Sequence, residues 1–144
     1  MKTSVQGTQQ PFGVGRMTAQ RAAIVDAIET MRCAFTVDAL VGVARAEDAT
    51  IGVATVYRAV SALEKSRWLE RVGERAGSAL YARCAAGDRH HHHVICTSCG
   101  RLEPADCPLG GDVSGRETAS GFLVTGHEVT LYGLCPECVS GGKR

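Results

Sequence analysis

The stretch His90-His91-His92-His93-Val94-Ile95-Cys96-Thr97-Ser98-Cys99 decides how this chain is read. Four adjacent imidazoles run straight into a Cys-x-x-Cys pair. A second pair, Cys135-Pro136-Glu137-Cys138, follows with 35 residues between Cys99 and Cys135. A two-residue gap lets both sulfurs of a knuckle face one ion, so two such pairs fit a tetrahedral structural zinc on Cys96, Cys99, Cys135 and Cys138. Val94 and Ile95 favour a strand, and strand side chains alternate between faces. His90 and His92 then leave on one side, and His91 and His93 on the other. One ribbon can thus feed two further metal sites. A purification tag would sit at a terminus, whereas this run is internal and adjoins ligand-type cysteines.

The composition is compatible with that reading. A length of 144 residues allows one domain or two small ones. No apolar run approaches the roughly 20 residues that span a bilayer, and Met1–Val14 lacks the apolar core of a signal peptide. The expectation is a cytoplasmic protein with no membrane partner, in which seven cysteines are metal ligands and free thiols rather than a disulfide framework. Residues 1–89 carry 12 Lys and Arg against 9 Asp and Glu, whereas residues 90–144 carry 4 against 6. The first half therefore has a modest basic bias that permits nucleic-acid binding.

Working outward towards the N-terminus, residues 1–15 hold Gly7, Pro11, Gly13 and Gly15 and read as a flexible arm. Thr18 is placed to cap a helix running to about Met31, with Ile24, Ala27, Ile28 and Met31 on its inner stripe. Thr36 caps a second, with Val37, Leu40, Val41 and Ala44 inward and Asp38 in its first turn. A third begins near Gly52-Val53, its inner stripe Val53, Val56, Val60 and Leu63. Arg58, Ser61 and Lys65 lie opposite that stripe, with Thr55 and Tyr57 on its flanks. Three short helices with basic and hydroxyl groups on the last fit a helix-turn-helix. Trp68–Val72 and Ser78–Arg83 read as strands around a turn from Gly73 to Gly77, which would make a winged helix with Arg75 at its tip. Residues 84–89 read as a polar linker. Beyond Cys99, Pro108, Gly110, Gly111 and Gly115 leave any helix in Pro104–Ser120 short or poorly formed. Phe122–Val124 and Glu128–Tyr132 read as strands, and Ser140–Arg144 as a tail.

Taken together, these residues resemble the ferric uptake regulator family of metal-responsive repressors. The matching pieces are Arg16-Met17-Thr18-Ala19-Gln20-Arg21, Ala54-Thr55-Val56-Tyr57-Arg58, His90 to Gly100, Gly121 to His127, and Cys135 to Cys138, in the family's order. The resemblance implies an α+β chain. Its N-terminal winged helix-turn-helix would occupy residues 16–84, joined by a linker at 85–89 to a C-terminal α/β dimerisation domain at 90–139 carrying the four-cysteine zinc. It also implies a homodimer on palindromic double-stranded operator DNA, with Tyr57 on bases, Thr55, Arg58 and Ser61 on sugar and phosphate, and Arg16 in the minor groove.

The zinc uptake regulator branch is the most similar. Iron and peroxide sensors of the family usually place a histidine just before the second helix, where this chain has Ala34-Phe35. Zinc sensors carry a cysteine after the wing, where Cys84 stands, six residues before His90 and so one more than the family spacing. Glu70 matches the family's carboxylate ligand. The implied regulatory zinc set is Glu70, Cys84, His91 and His93, and a thiolate among these donors favours zinc over Fe2+. Fe2+ or Ni2+ at this site, or peroxide sensing, is the rival within the family. His90, His92 and His127 imply a further site whose usual carboxylate falls near Gly110, with Asp112 or Glu117 as substitutes. Cys33 and Cys107 have no assigned role.

Two other classes are weighed. In a thiol redox switch the knuckles would form disulfides, and the zinc content of the reduced protein separates it from the repressor. An enzyme is excluded on chemical grounds. His127-Glu128 followed by Cys135-Pro136-Glu137-Cys138 lacks the His-x-Glu and Pro-Cys order of zinc deaminases, and four thiolates leave no open position for a catalytic water.

Overall fold

A computed structural model describes residues 10–83 and 90–141. Three helices come first: α1 (Ala19–Thr30), α2 (Val37–Glu47) and α3 (Val53–Lys65). Thr18 and Thr36 cap the first two through their hydroxyls, which accept from Arg21 N–H and Ala39 N–H, each at 3.2 Å. The inner faces bury Ile24, Ile28, Leu40, Val56 and Leu63, with Trp68 and Leu69 closing the core after α3. Val53, expected on the inner stripe, is 46% exposed. It is the first residue of α3, and Ala59 takes its place in the core. The arm expected over residues 1–15 is described from Gln10 on, and there Phe12 packs against this helical core.

Next comes the hairpin β1 (Glu70–Arg75) and β2 (Ser78–Ala82). Its turn is Ala76-Gly77 alone, both with positive φ (50° and 81°), as a two-residue primed turn requires. Arg75 is therefore the last residue of β1, paired with Ser78, and Gly73 lies inside the strand rather than in the turn. Phe35 adds a short third strand to this wing, exchanging backbone hydrogen bonds with Tyr81 at 2.9 and 2.8 Å.

The second sheet runs β4 (Leu102–Ala105), β3 (His92–Cys96), β5 (Thr130–Gly133), with β4 antiparallel and β5 parallel to the central β3. Pro104 is tolerated because β4 is an edge strand. A single helical turn, α4 (Pro136–Ser140), follows Cys135. The strand expected at Phe122–Val124 reduces to one bridge, Glu117 to Leu123. No helix forms between β4 and β5, as the glycine content of that stretch implies.

A small second core, made of Val72, Leu80 and Ala82 from the hairpin with Ala34 and Ile95, fastens the hairpin to this sheet. The register of β1 slips between Arg71 and Gly73, and Val72 C=O accepts a hydrogen bond from Thr130 Oγ1 at 2.8 Å. Tyr132 Oη accepts from Glu74 N–H at 2.8 Å and donates to Glu74 C=O at 3.1 Å. Gly73 makes this approach possible, because a Cβ there would lie 2.7 Å from Tyr132 Oη and 2.9 Å from Ile95 Cδ1.

Gly73→Ala should therefore destabilise the protein by about 1–3 kcal/mol, the usual cost of overpacking. Thermal unfolding of the variant beside the parent checks this, and an unchanged midpoint would contradict the docking described.

Candidate metal centres and nucleic-acid interface

The central strand β3, with His90 and His91 in the two positions just before it, sorts the histidines in the alternating pattern of a strand. On one face, His91 and His93 meet Glu70 of β1, with His91 Nε2 at 3.6 Å and His93 Nε2 at 3.9 Å from Glu70 Oε2. On the other, His90 and His92 meet His127, with His92 Nε2 at 3.1 Å from His127 Nε2. In each group the potential ligand atoms lie within 4.8 Å of one another. Cys84, the expected fourth member of the first group, lies outside the described residues.

The protonation tendencies of the first group suit a cation. Burial, with the fields of His91 and His92, holds His93 down at about 4, so its imidazole is neutral and able to donate at neutral pH. Burial raises the Glu70 carboxyl, against the opposing influence of His91. An ion placed between them would favour the carboxylate. The group opens onto a cleft of about 900 Å³ between the hairpin and the sheet, bordered by Gly73, Thr130 and Tyr132.

The four knuckle sulfurs also form one cluster, with Cys99 Sγ 3.7 Å from Cys135 Sγ. Four thiolates at about 2.3 Å from one zinc would stand about 3.8 Å apart, so the spacing suits that ion. Gly100, at φ 77°, turns the first knuckle so that its N–H reaches Cys96 C=O at 2.9 Å. Thr97 N–H to Gly133 C=O at 2.8 Å and Arg101 Nη1, 2.7 Å from both carboxylate oxygens of Glu137, tie the two knuckles together. Backbone N–H groups of Cys135 and Cys99 hold the Cys96 thiol at about 6. Cys135 has a helping hydrogen bond from the Cys138 backbone, yet burial and three neighbouring sulfurs push it up to about 12. A cation among the four sulfurs would favour their thiolate forms.

Sequence reasoning missed one member of the His90 and His92 face. Cys107 Sγ lies 3.3 Å from His127 Nε2 and donates to Gly111 C=O at 3.4 Å. Neither expected substitute is in this group. Asp112 is turned to accept from Ser114 N–H at 2.9 Å, and Glu117 bridges to Leu123. Burial works against ionisation of Cys107, but hydrogen bonds made to its sulfur by the His90 ring, the Gly111 and Leu109 backbone and the His127 ring bring the thiol down to about 5. The signal that could have found it is Cys107-Pro108 followed by Gly110-Gly111, a cysteine set on a tight glycine turn. Cys33 is exposed and packs beside Gly100.

On the helical side, Tyr57, Arg58 and Ser61 share the exposed surface of α3, with Thr55 half-buried at its N-terminal end. Tyr57, 48% exposed, reaches Asp38 of α2 at 3.4 Å. Arg58 Nη2 sits 3.4 Å from Thr55 Oγ1. Arg16 is exposed just before α1, and its C=O accepts from Arg21 Nη1 at 2.8 Å. All five residues expected at DNA thus lie on or beside the helical unit.

Comparisons with known proteins show the family and the fold. Residues 13–132 match the Ferric uptake regulator family. The Zinc uptake regulation protein of Mycobacterium tuberculosis (strain ATCC 25618 / H37Rv) is 32% identical over 126 residues, covering 87% of this chain and 95% of that one. The Ferric uptake regulation protein of Neisseria meningitidis serogroup A is 29% identical over 131 residues, 90% of each chain. A solved zinc uptake regulator complexed with zinc and DNA shares the fold at a TM-score of 0.66 and 22% identity, over 88% of this chain and 85% of that one. Among the described residues no helix is long and apolar enough to cross a membrane. With two histidine groups and a four-cysteine cluster around one strand, a helical unit before them and the family match over most of its length, the chain belongs to the Ferric uptake regulator family and is a metal-responsive transcriptional regulator, not an enzyme.

Proposed function

We propose that this chain is a zinc-responsive repressor that binds palindromic operator DNA as a homodimer when loaded with metal. Residues 16–84 form the DNA-binding unit, and residues 90–139 form the metal-binding dimerisation unit beyond a linker at 85–89. Glu70, Cys84, His91 and His93 hold the regulatory zinc, and Cys96, Cys99, Cys135 and Cys138 hold a structural one. The observation that carries the reading is the placement of Glu70 on the hairpin within 4 Å of His93 on β3 and of His91 just before it. An ion there joins the two units, binds their docked arrangement more tightly than any open one, and shifts the population towards it. A docked wing fixes how α3 is presented to the major groove.

Zinc is preferred over iron or nickel for two reasons. A thiolate from Cys84 among nitrogen and oxygen donors suits zinc, and Ala34-Phe35 stand where iron sensors of the family carry a histidine. The 32%-identical relative bearing a zinc uptake name supports the same choice. At the operator, Tyr57 reads base edges while Thr55, Arg58 and Ser61 contact sugar and phosphate, and Arg16 enters the minor groove.

Three outcomes follow. Cys84→Ser should leave the fold and the thiolate-bound zinc intact while abolishing zinc-dependent operator binding in a fluorescence anisotropy titration. Unchanged zinc dependence would remove Cys84 from the sensing set. Tyr57→Ala should cost about 1–3 kcal/mol on the operator and relax specificity, whereas Arg58→Ala should weaken all sequences and flatten the salt slope. Equal losses on operator and random DNA would take Tyr57 out of base reading. Cys96→Ser should lose folding or dimerisation together with one zinc, since structural zinc binding is folding free energy. A stable dimer with full zinc content by elemental analysis would contradict the four-cysteine assignment.

A further inference from the structure

The group on the His90 and His92 face remains after the regulatory and structural sets are drawn. Its four members come from three separate places: His90 and His92 at β3, Cys107 in the loop after β4, and His127 shortly before β5. Their burial is graded, with His92 only 6% exposed, Cys107 and His127 half-buried, and His90 at the rim. His92, His127 and Cys107 contact one another in a chain, and the donor atoms of all four residues converge within 4.8 Å, the arrangement of a ligand set.

The distances suit a zinc ion as the common partner. Zinc with nitrogen ligands at about 2.0–2.1 Å and a sulfur at about 2.3 Å sets tetrahedron edges of about 3.3 Å between nitrogens and about 3.5 Å between nitrogen and sulfur. His92 and His127 stand 3.1 Å apart, and Cys107 stands 3.3 Å from His127. The rings of His90 lie 4.8 Å from those of both His92 and His127, centroid to centroid, which closes a triangle of imidazoles beneath the sulfur.

The loop is shaped to deliver that sulfur. Gly110 N–H bonds back to Cys107 C=O at 3.0 Å, the tight turn of a metal knuckle. Gly110 and Gly111 adopt φ of 80° and 133°, values that a side-chain-bearing residue would resist. The family resemblance leads one to expect a carboxylate here. The glycines that rule it out at position 110 are the same ones that fold Cys107 inward.

We propose that Cys107 is the fourth ligand of a closed three-histidine, one-thiolate site with His90, His92 and His127, and that the exchange of carboxylate for thiolate makes this site select zinc over manganese(II) and iron(II). The softer thiolate favours zinc, and a neutral-imidazole shell without an oxygen donor offers little to the harder cations. Four protein ligands leave no open coordination position. The assignment does not depend on Glu70, Cys84, His91 and His93 being the sensing set.

The test uses the full chain, stripped of metal under reducing conditions and reloaded with zinc alone, and reads cysteine alkylation by mass spectrometry. Zinc should protect Cys107 in the parent protein. In His127→Ala, Cys107 should become reactive while Cys96, Cys99, Cys135 and Cys138 stay protected, which separates ligand loss from unfolding. In Cys84→Ser, Cys107 should remain protected, so failure of the proposed sensing site and failure of this one give different patterns. Cobalt(II) loading supplies a second readout, because Cys107→Ser should remove the sulfur-to-cobalt charge-transfer absorption of one bond and lower affinity by more than the roughly 10–100-fold that loss of an outer-shell partner costs. Cys107→Asp should regain a metal but admit manganese(II) in competition. Equal alkylation of Cys107 with and without zinc would overturn the ligand assignment. Unchanged manganese competition in Cys107→Asp would overturn the selectivity.

Discussion

Successive side chains of a β-strand leave on opposite faces, and in this protein the rule governs His92 to Cys96 and is carried back by the chain to His90 and His91 just before the strand. Most of the remaining structure is arranged around the result. His91 and His93 face the hairpin and Glu70, while His90 and His92 face His127 and Cys107. Ile95 enters the small core shared with Val72 and Leu80, and Cys96 begins the four-sulfur cluster. A one-residue slip of β3 would exchange both histidine faces and expose Ile95. Pairing with β4 on one side and β5 on the other fixes the register against that slip.

The same strand sets how metal and DNA recognition can communicate. The hairpin that follows α3 is held on the sheet by Thr130 and Tyr132 through three hydrogen bonds to the backbone of Val72 and Glu74. At about 0.5–1.5 kcal/mol net for each, they supply a few kcal/mol towards docking. Carrying a population from 1:99 to 99:1 takes about 5.5 kcal/mol. The three bonds by themselves fall short of that figure, the small core of Val72, Leu80, Ala82, Ala34 and Ile95 adds to them, and an ion bridging Glu70 to His91 and His93 would act across the same seam. Gly73 connects the two, since its missing side chain lets Tyr132 reach the β1 backbone only a few residues from Glu70.

The helices and the clustering of the paired cysteines and histidines were legible in the sequence because their signals are local. Thr18 and Thr36 cap where the pattern places them, the apolar stripes of α1 and α2 are buried, and strand alternation divides the histidines as expected. The losses have physical causes as well. Gly73 reads as a turn residue by composition, yet its role is set by Tyr132, 59 positions away, which no local pattern contains. Pro104 hides β4, since a proline argues against a strand unless the strand is known to be an edge. Cys107 lacks the two-residue partner that marks the other knuckles, and only the folded loop shows what it faces. Cys84 lies outside the described residues, so its place beside Glu70 rests on the family pattern alone.

Whether zinc is the ion that this regulator answers to is tested most directly by the affinity of the parent protein for an operator fragment. It should be measured at one fixed salt concentration while free zinc, iron(II) and nickel(II) are each buffered across their ranges. The account predicts tight, sequence-specific binding that appears with zinc at free concentrations where iron(II) and nickel(II) leave the protein on random-sequence footing. Operator binding that follows iron(II) or nickel(II) and ignores buffered zinc would contradict it.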